Sequence, residues 1–263
     1  MLTEVKNQLR VWALSIKYSI IRSMANKKSF LFSVLLMFIS NASFLVQWVV
    51  ILGVSSNVDL TMREIMLVWG FCASAFGLSN ILFGGVHFLP TYIIEGKLDA
   101  YMVQPKNILL SIASSHSSMS AFGDVLYGLV IVLFASPNIK TFILYILFSL
   151  LGSICYAAFI VIVYSCIFFS INFRELTGVL VRISVSFGTY PENIFSSKIK
   201  LLLYTLIPLG AMVYMPTRVI SETNYYLIFL IIGYTVLITI LAFIIFYKGI
   251  KKYSSSNLMS SRV

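Results

Sequence analysis

The stretch Thr91-Tyr-Ile-Ile-Glu-Gly-Lys-Leu-Asp-Ala-Tyr-Met-Val-Gln-Pro-Lys-Asn107 is a polar island between apolar runs long enough to cross a bilayer. Tyr92, Ile93, Leu98, Tyr101 and Met102 supply aromatic and apolar anchors, and Glu95, Lys97 and Asp99 supply a polar rim. That mixture is the usual make-up of a protein interface. The competing reading is an amphipathic loop resting on lipid headgroups. Either way, residues 91–107 connect two spans, and the fold follows from what flanks them.

What flanks them is hydrocarbon-soluble. Of 263 residues 59% are hydrophobic and 11% charged, and the mean hydropathy of +0.95 lies far above that of a soluble domain. A spanning helix needs roughly 20 mainly apolar residues, which leaves room for about six crossings and no sizeable soluble domain. The expectation is an all-α integral membrane protein forming a single domain over residues 1–263. An amphipathic interfacial helix covers 3–25, with spans at 30–52, 65–88, 118–135, 141–169, about 175–190, and 226–247.

The net charge of +10 follows the positive-inside rule better than it suits nucleic-acid binding, because the cations sit beside apolar runs. Lys6, Arg10, Lys17, Arg22, Lys27 and Lys28 precede the first span, and Lys248, Lys251, Lys252 and Arg262 follow the last. Both termini are therefore expected in the cytoplasm of a bacterial cell, with an even number of crossings of the cell membrane. No secretory leader is expected, since the first apolar run begins only after Lys28 and lacks a small-residue cleavage pattern.

In the first helix Val5, Leu9, Trp12, Ile16 and Ile20 recur at spacings of four and three, a pattern suited to lying in the interface. Ser55 to Glu64, with Asp59 and Arg63, reads as a short external loop. In the second span Gly70 and Ser74, Ala73 and Gly77, and Ala75 and Ser79 are each four residues apart. Such small-residue faces let another backbone approach closely, within the protomer or across a dimer. Between Ser170 and Asn224 two segments compete for the fifth crossing. Hydropathy and charge favour Leu201 to Tyr214. Pro208 and Pro216 break that stretch, which favours Glu175 to Gly188 as the crossing and residues 200–220 as a re-entrant pair.

Catalytic chemistry is missing from the sequence. Gly96-Lys97 is followed by Leu98 and has Thr91 where a phosphate-cradling loop needs its upstream glycine. His87 and His116 have no carboxylate or cysteine at ligand spacing, so no metal site is expected. Cys72, Cys155 and Cys166 lie in apolar runs and read as small core residues. Asp124 is the acid at the start of a firmly apolar run, and Arg182 is its candidate partner if Glu175 to Gly188 crosses. With Asn41 and Gln47 these two form the candidate intramembrane polar path. Ser111, Ser114, Ser115, Ser117 and Ser118 line an inner entrance or cap the third span.

Ile94-Glu95-Gly96-Lys97-Leu98-Asp99-Ala100-Tyr101, followed by Gln104-Pro105-Lys106-Asn107, resembles a branch of the type 2 ABC (ABC-2) transporter permeases that carries Gly-x-Leu-Asp and a later Pro. Tyr190-Pro191, Ile194-Phe195, Ile207-Pro208-Leu209 and Tyr214-x-Pro216 follow in the family's order. The resemblance implies a cytosolic coupling helix between spans 2 and 3, touched by an ATPase subunit. It assigns that contact to Tyr92, Ile93, Glu95, Gly96, Leu98, Asp99, Tyr101, Met102 and Pro105. It also implies re-entrant helices before span 6, around Tyr190, Pro191, Pro208 and Pro216.

The function so implied is a permease subunit that exports a drug, antibiotic, peptide or lipid-like compound. Its partners would be a cytosolic ABC ATPase dimer, a second permease of the same or a sister chain, and membrane lipids. ATP and Mg would bind the ATPase, and this chain would be neither an enzyme nor a cofactor protein. An ion-coupled secondary transporter would instead need ionisable groups in the spans and two similar halves. A membrane scaffold or immunity-type protein would leave the island's charge pattern without a task.

Overall fold

The computed structural model describes residues 2–54, 60–222 and 224–254, with backbone alone for 2–5 and 54. Asp59, Arg262 and the side chain of Val5 therefore lie outside the described residues. Among the described residues the chain is all-helical, without a strand. In chain order the helices are α1 (Leu2–Ser23), α2 (Lys27–Val54), α3 (Met62–Leu82), α4 (Leu89–Ile94), α5 (Asp99–Met102), α6 (Ile108–Ala113), α7 (Ala121–Ala135), α8 (Ile139–Ser165), α9 (Phe173–Gly188), α10 (Ser197–Thr205), α11 (Met215–Glu222) and α12 (Tyr226–Ile250). Four of them, α2, α3, α8 and α12, are long and apolar enough to cross a membrane. The 15 residues of α7 span about 22 Å at 1.5 Å per residue, short of a full hydrocarbon core.

Small residues set the centre of the bundle. α3 lies between α7 and α8, and its contact with α7 runs through glycine. A Cβ on Gly128 would stand 2.6 Å from the Gly70 carbonyl oxygen and closer still to the Ser74 hydroxyl. Ser74 Oγ donates to Gly70 O at 2.7 Å and meets Tyr145 OH of α8 at 2.6 Å. On the other side Gly152 brings α8 against Ala75. The small-residue faces expected in the second span thus pack within the protomer.

α3 opens with a capping box between Thr61 and Glu64 and ends at Leu82, six residues short of the expected Phe88. Gly84–Phe88 instead form a 3-10 turn, in which Gly85 lies so close to the Ile112 carbonyl that no side chain would fit. Helix α2 is attached differently. It packs mainly on α7, buries Val34, Asn41 and Trp48, sets Phe38, Ala42 and Leu45 against Trp69 and Tyr127, and shows its opposite apolar face to the exterior.

α9 starts beside the 3-10 turn Cys166–Phe168 that follows α8. Its far end places Tyr190 edge-on to Trp48 near the end of α2, and Pro191 and Glu192 beside Leu60 and Glu64 at the start of α3. The two ends of α9 therefore lie at opposite ends of the bundle. Beyond it, α10 and the segment from Gly210 to Glu222 meet at 87°. Pro208 has no N–H to continue the ladder of α10. The Thr205 carbonyl exposed by that break accepts the Tyr234 hydroxyl from α12 at 3.0 Å. A π-helical turn over Gly210–Tyr214 leads into α11, where Pro216 occupies the first turn. Tyr214 OH donates to the carbonyls of Phe187 and Tyr190, and Arg218 pairs with Glu192, so the bent segment is clamped onto the end of α9.

Candidate functional site

The island is half buried and half bare. Ile93 and Leu98 have no exposure and Ile94 almost none, and all three belong to one apolar cluster with Val68, Phe159 and Phe246. The expectation that Ile93 and Leu98 would face a partner is not met, because their side chains are consumed in tethering the loop. Gly96 sits at φ 73, a left-handed conformation that lets the chain reverse between α4 and α5. The reversal is closed by Leu98 N donating to Tyr92 O at 3.2 Å.

Opposite the buried half, Glu95, Lys97, Asp99, Met102, Gln104, Pro105 and Lys106 are exposed, and Val103 is 84% exposed. Lys97 Nζ stands 2.6 Å from Glu95 Oε2. Hydrogen bonding to that carboxylate raises the Lys97 pKa above its ordinary value. Tyr92 and Tyr101 are half-buried with ring centroids 5.5 Å apart, joining the bare tip to the tether. Burial, followed by the bond to Tyr92, holds the Tyr101 phenol above its usual range.

α1 docks beside the island through serines. Ser15 donates to Ser114 O at 2.9 Å, Ser19 to Ser115 O at 3.3 Å and Ser23 to Ser117 O at 3.0 Å. Asn107 N donates to Gln8 Oε1 at 3.0 Å, and Trp12 stacks on Phe83. The face that packs is therefore Gln8, Trp12, Ser15, Ile16, Ser19 and Ser23. Leu9, expected on it, is 56% exposed. The i, i+4, i+8 spacing of Ser15, Ser19 and Ser23 was the available signal, and it is hidden by reading amphipathicity from apolar residues alone. The Ser111 to Ser120 stretch serves as the acceptor rail for this helix, and α7 begins without a side-chain cap.

Deeper in the bundle, Asp124 is buried and accepts from Asn41 Nδ2 at 2.7 Å. Asn41, Asp124 and Arg182 line one cavity of about 280 Å³ between α2, α3, α7 and α9. The structure gathers these three expected residues, but Asp124 and Arg182 form no ion pair. Gln47 is exposed and has no part in the cavity. Tyr190, Pro191, Pro208 and Pro216 all fall in the clamped bend described above. Among the described residues no group of three metal-ligating side chains forms. Sequence reasoning passed over two features: Val103 as an exposed apolar tip, and the Glu192–Arg218 pair with Tyr204 OH donating to Glu192 at 2.5 Å.

A bundle of apolar helices, four of them able to cross a bilayer, makes this a multi-pass membrane protein. Comparison with protein families makes the class specific. The sequence model described as ABC-2 family transporter protein matches residues 34–257, most of the chain, and the chain belongs to that family of membrane transport components. No curated protein and no solved structure matches it.

Proposed function

We propose that this chain is the transmembrane permease of an ABC exporter in a bacterial cell membrane. A cytosolic ATPase dimer docks on the bare face from Glu95 to Lys106, and a second permease completes the substrate path. The observation that carries this reading is the two-sided island: Val103 and Met102 stand free while Ile93 and Leu98, a few residues away, are locked among side chains of α3, α8 and α12. A push on the tip therefore moves packed helices rather than a slack loop. ATP and Mg act on the partner, and binding energy there selects between two arrangements of the bundle. The cargo is a drug, antibiotic, peptide or lipid-like compound.

In this reading α2, α3, α7, α8, α9 and α12 cross the membrane, with α10 and α11 folded back as a re-entrant pair and both termini in the cytoplasm. Co-purification with an ATPase tests the partnership. Val103→Asp or Asp99→Arg should then lower permease-stimulated ATP hydrolysis about tenfold while the protein still elutes as a single species. Substrate flux that persists after the ATPase is removed would overturn the proposal. Lys198→Cys tests the topology, since it should react with an impermeant thiol reagent on intact cells. Reaction only in opened membranes would return the fifth crossing to Leu201–Tyr214.

A further inference from the structure

Between the end of α1, the start of α2, the island and the rail lies an open cleft of about 760 Å³. Arg22, Ser33, Tyr92, Tyr101, His116 and Ser118 reach it from these four elements, and no carboxylate lines it. The hydrogen-bond partner of Arg22 among the described residues is His116 Nδ1, at 3.4 Å. A guanidinium only donates, so Nδ1 accepts and the imidazole carries its proton on Nε2. Burial, and then the charge of Arg22, hold His116 below its ordinary pKa, in keeping with a neutral ring.

The cleft therefore presents a fixed cation and an excess of donors. Arg22 keeps N–H groups in reserve, the tyrosines and serines offer hydroxyls, and nothing in the walls supplies a negative counterpart. Arg22 is exposed at the open side of the cleft, where an anion with several acceptor oxygens can reach it, and a guanidinium matches a phosphate best. The elements that form the opening favour a ligand from the membrane surface. Leu14, Tyr18 and Ile21 make an exposed apolar stripe on α1, spaced to rest on a bilayer boundary. Lys27 and Lys28 add positive charge six and five residues before Ser33 on α2.

We propose that this cleft binds a phosphate group, presented by the headgroup of an anionic phospholipid or by a soluble phosphate ester. The cleft shares Tyr92 and Tyr101 with the island, but neither Val103 nor the exposed rim takes part in it. The test is equilibrium binding to the purified full-length chain in uncharged detergent at constant ionic strength, with dioctanoyl phosphatidylglycerol and inorganic phosphate as probes. Saturable binding of the lipid alone assigns the site to headgroups, and binding of both assigns it to phosphate from either source. Arg22→Gln should weaken binding about tenfold, as expected for one charge-assisted hydrogen bond. Ser33→Glu, which sets a carboxylate in the cleft from a partly exposed position, should do the same without touching α1. Lys17→Gln, exposed elsewhere on α1, should bind as the parent does. The proposal falls if neither probe saturates, if both cleft variants bind like the parent, or if Lys17→Gln loses as much as they do.

Discussion

α2 is the more apolar of two neighbouring helices, yet α3 is enclosed on nearly every side while α2 turns Phe32, Ile39, Val46 and Val50 outward. In water the order would be reversed. In a bilayer hydrocarbon solvates leucine as well as a protein core does, so apolar character gives a helix no reason to be buried. Backbone approach gives it one, and approach needs Gly70, Ser74, Ala75 and Gly77 rather than larger side chains. α2 has no such row, and its attachment rests on a few specific contacts, of which Asn41 to Asp124 is the polar one.

The sharpest way to break this contrast is Gly128→Leu, which forces α7 off α3. Overpacking of roughly 3 kcal/mol is expected, seen as loss of the monodisperse peak and a lowered unfolding midpoint in detergent. Val50→Leu on the outer face of α2 should leave both unchanged, and an equal loss would refute the small-residue account. Asn41→Leu comes next, at about 2 kcal/mol, because it leaves a buried carboxylate without a donor. Adding Asp124→Leu should recover most of that loss, as a double-mutant cycle on the thermal midpoint would show. Ser19→Ala with Ser23→Ala removes two bonds of the α1 rail and should cost about 1–2 kcal/mol. Faster hydrogen exchange over residues 114–120 is the readout. Val103→Asp should change stability by less than about 0.5 kcal/mol, since the side chain is 84% exposed. A larger shift would mean that the island tip is part of the core.

Much of the bundle was legible because length and apolar character are additive along a sequence, and α2, α8 and α12 lie close to their expected bounds. What hydropathy cannot register is a backbone contact. Phe83, Val86 and Phe88 prolong the apolar run past Leu82, where the helix ends and the chain turns to bring Gly85 against Ile112. The island's composition pointed to an interface, but alternation along a loop does not say which residues turn inward, and Ile93 and Leu98 did. Asp124 and Arg182, expected as partners, line one cavity without pairing. Asn41, read as one more lining residue, proved to be the carboxylate's hydrogen-bond donor. The spacing of Ser15, Ser19 and Ser23 marked a polar face on α1, but each hydroxyl answers a carbonyl 94 to 99 residues away, and no local pattern names that partner.

That separation has a consequence for how the protein is made. α1 leaves the ribosome before residues 114 to 117 have been synthesised, so the rail it docks on does not yet exist. In that interval its serines are unmatched and its stripe of Leu14, Tyr18 and Ile21 is the part able to find a resting place, on the surface of the bilayer. Helix α1 can thus be fastened only once the island and the rail have been made, ahead of the helices from α7 to α12 that follow them in the chain.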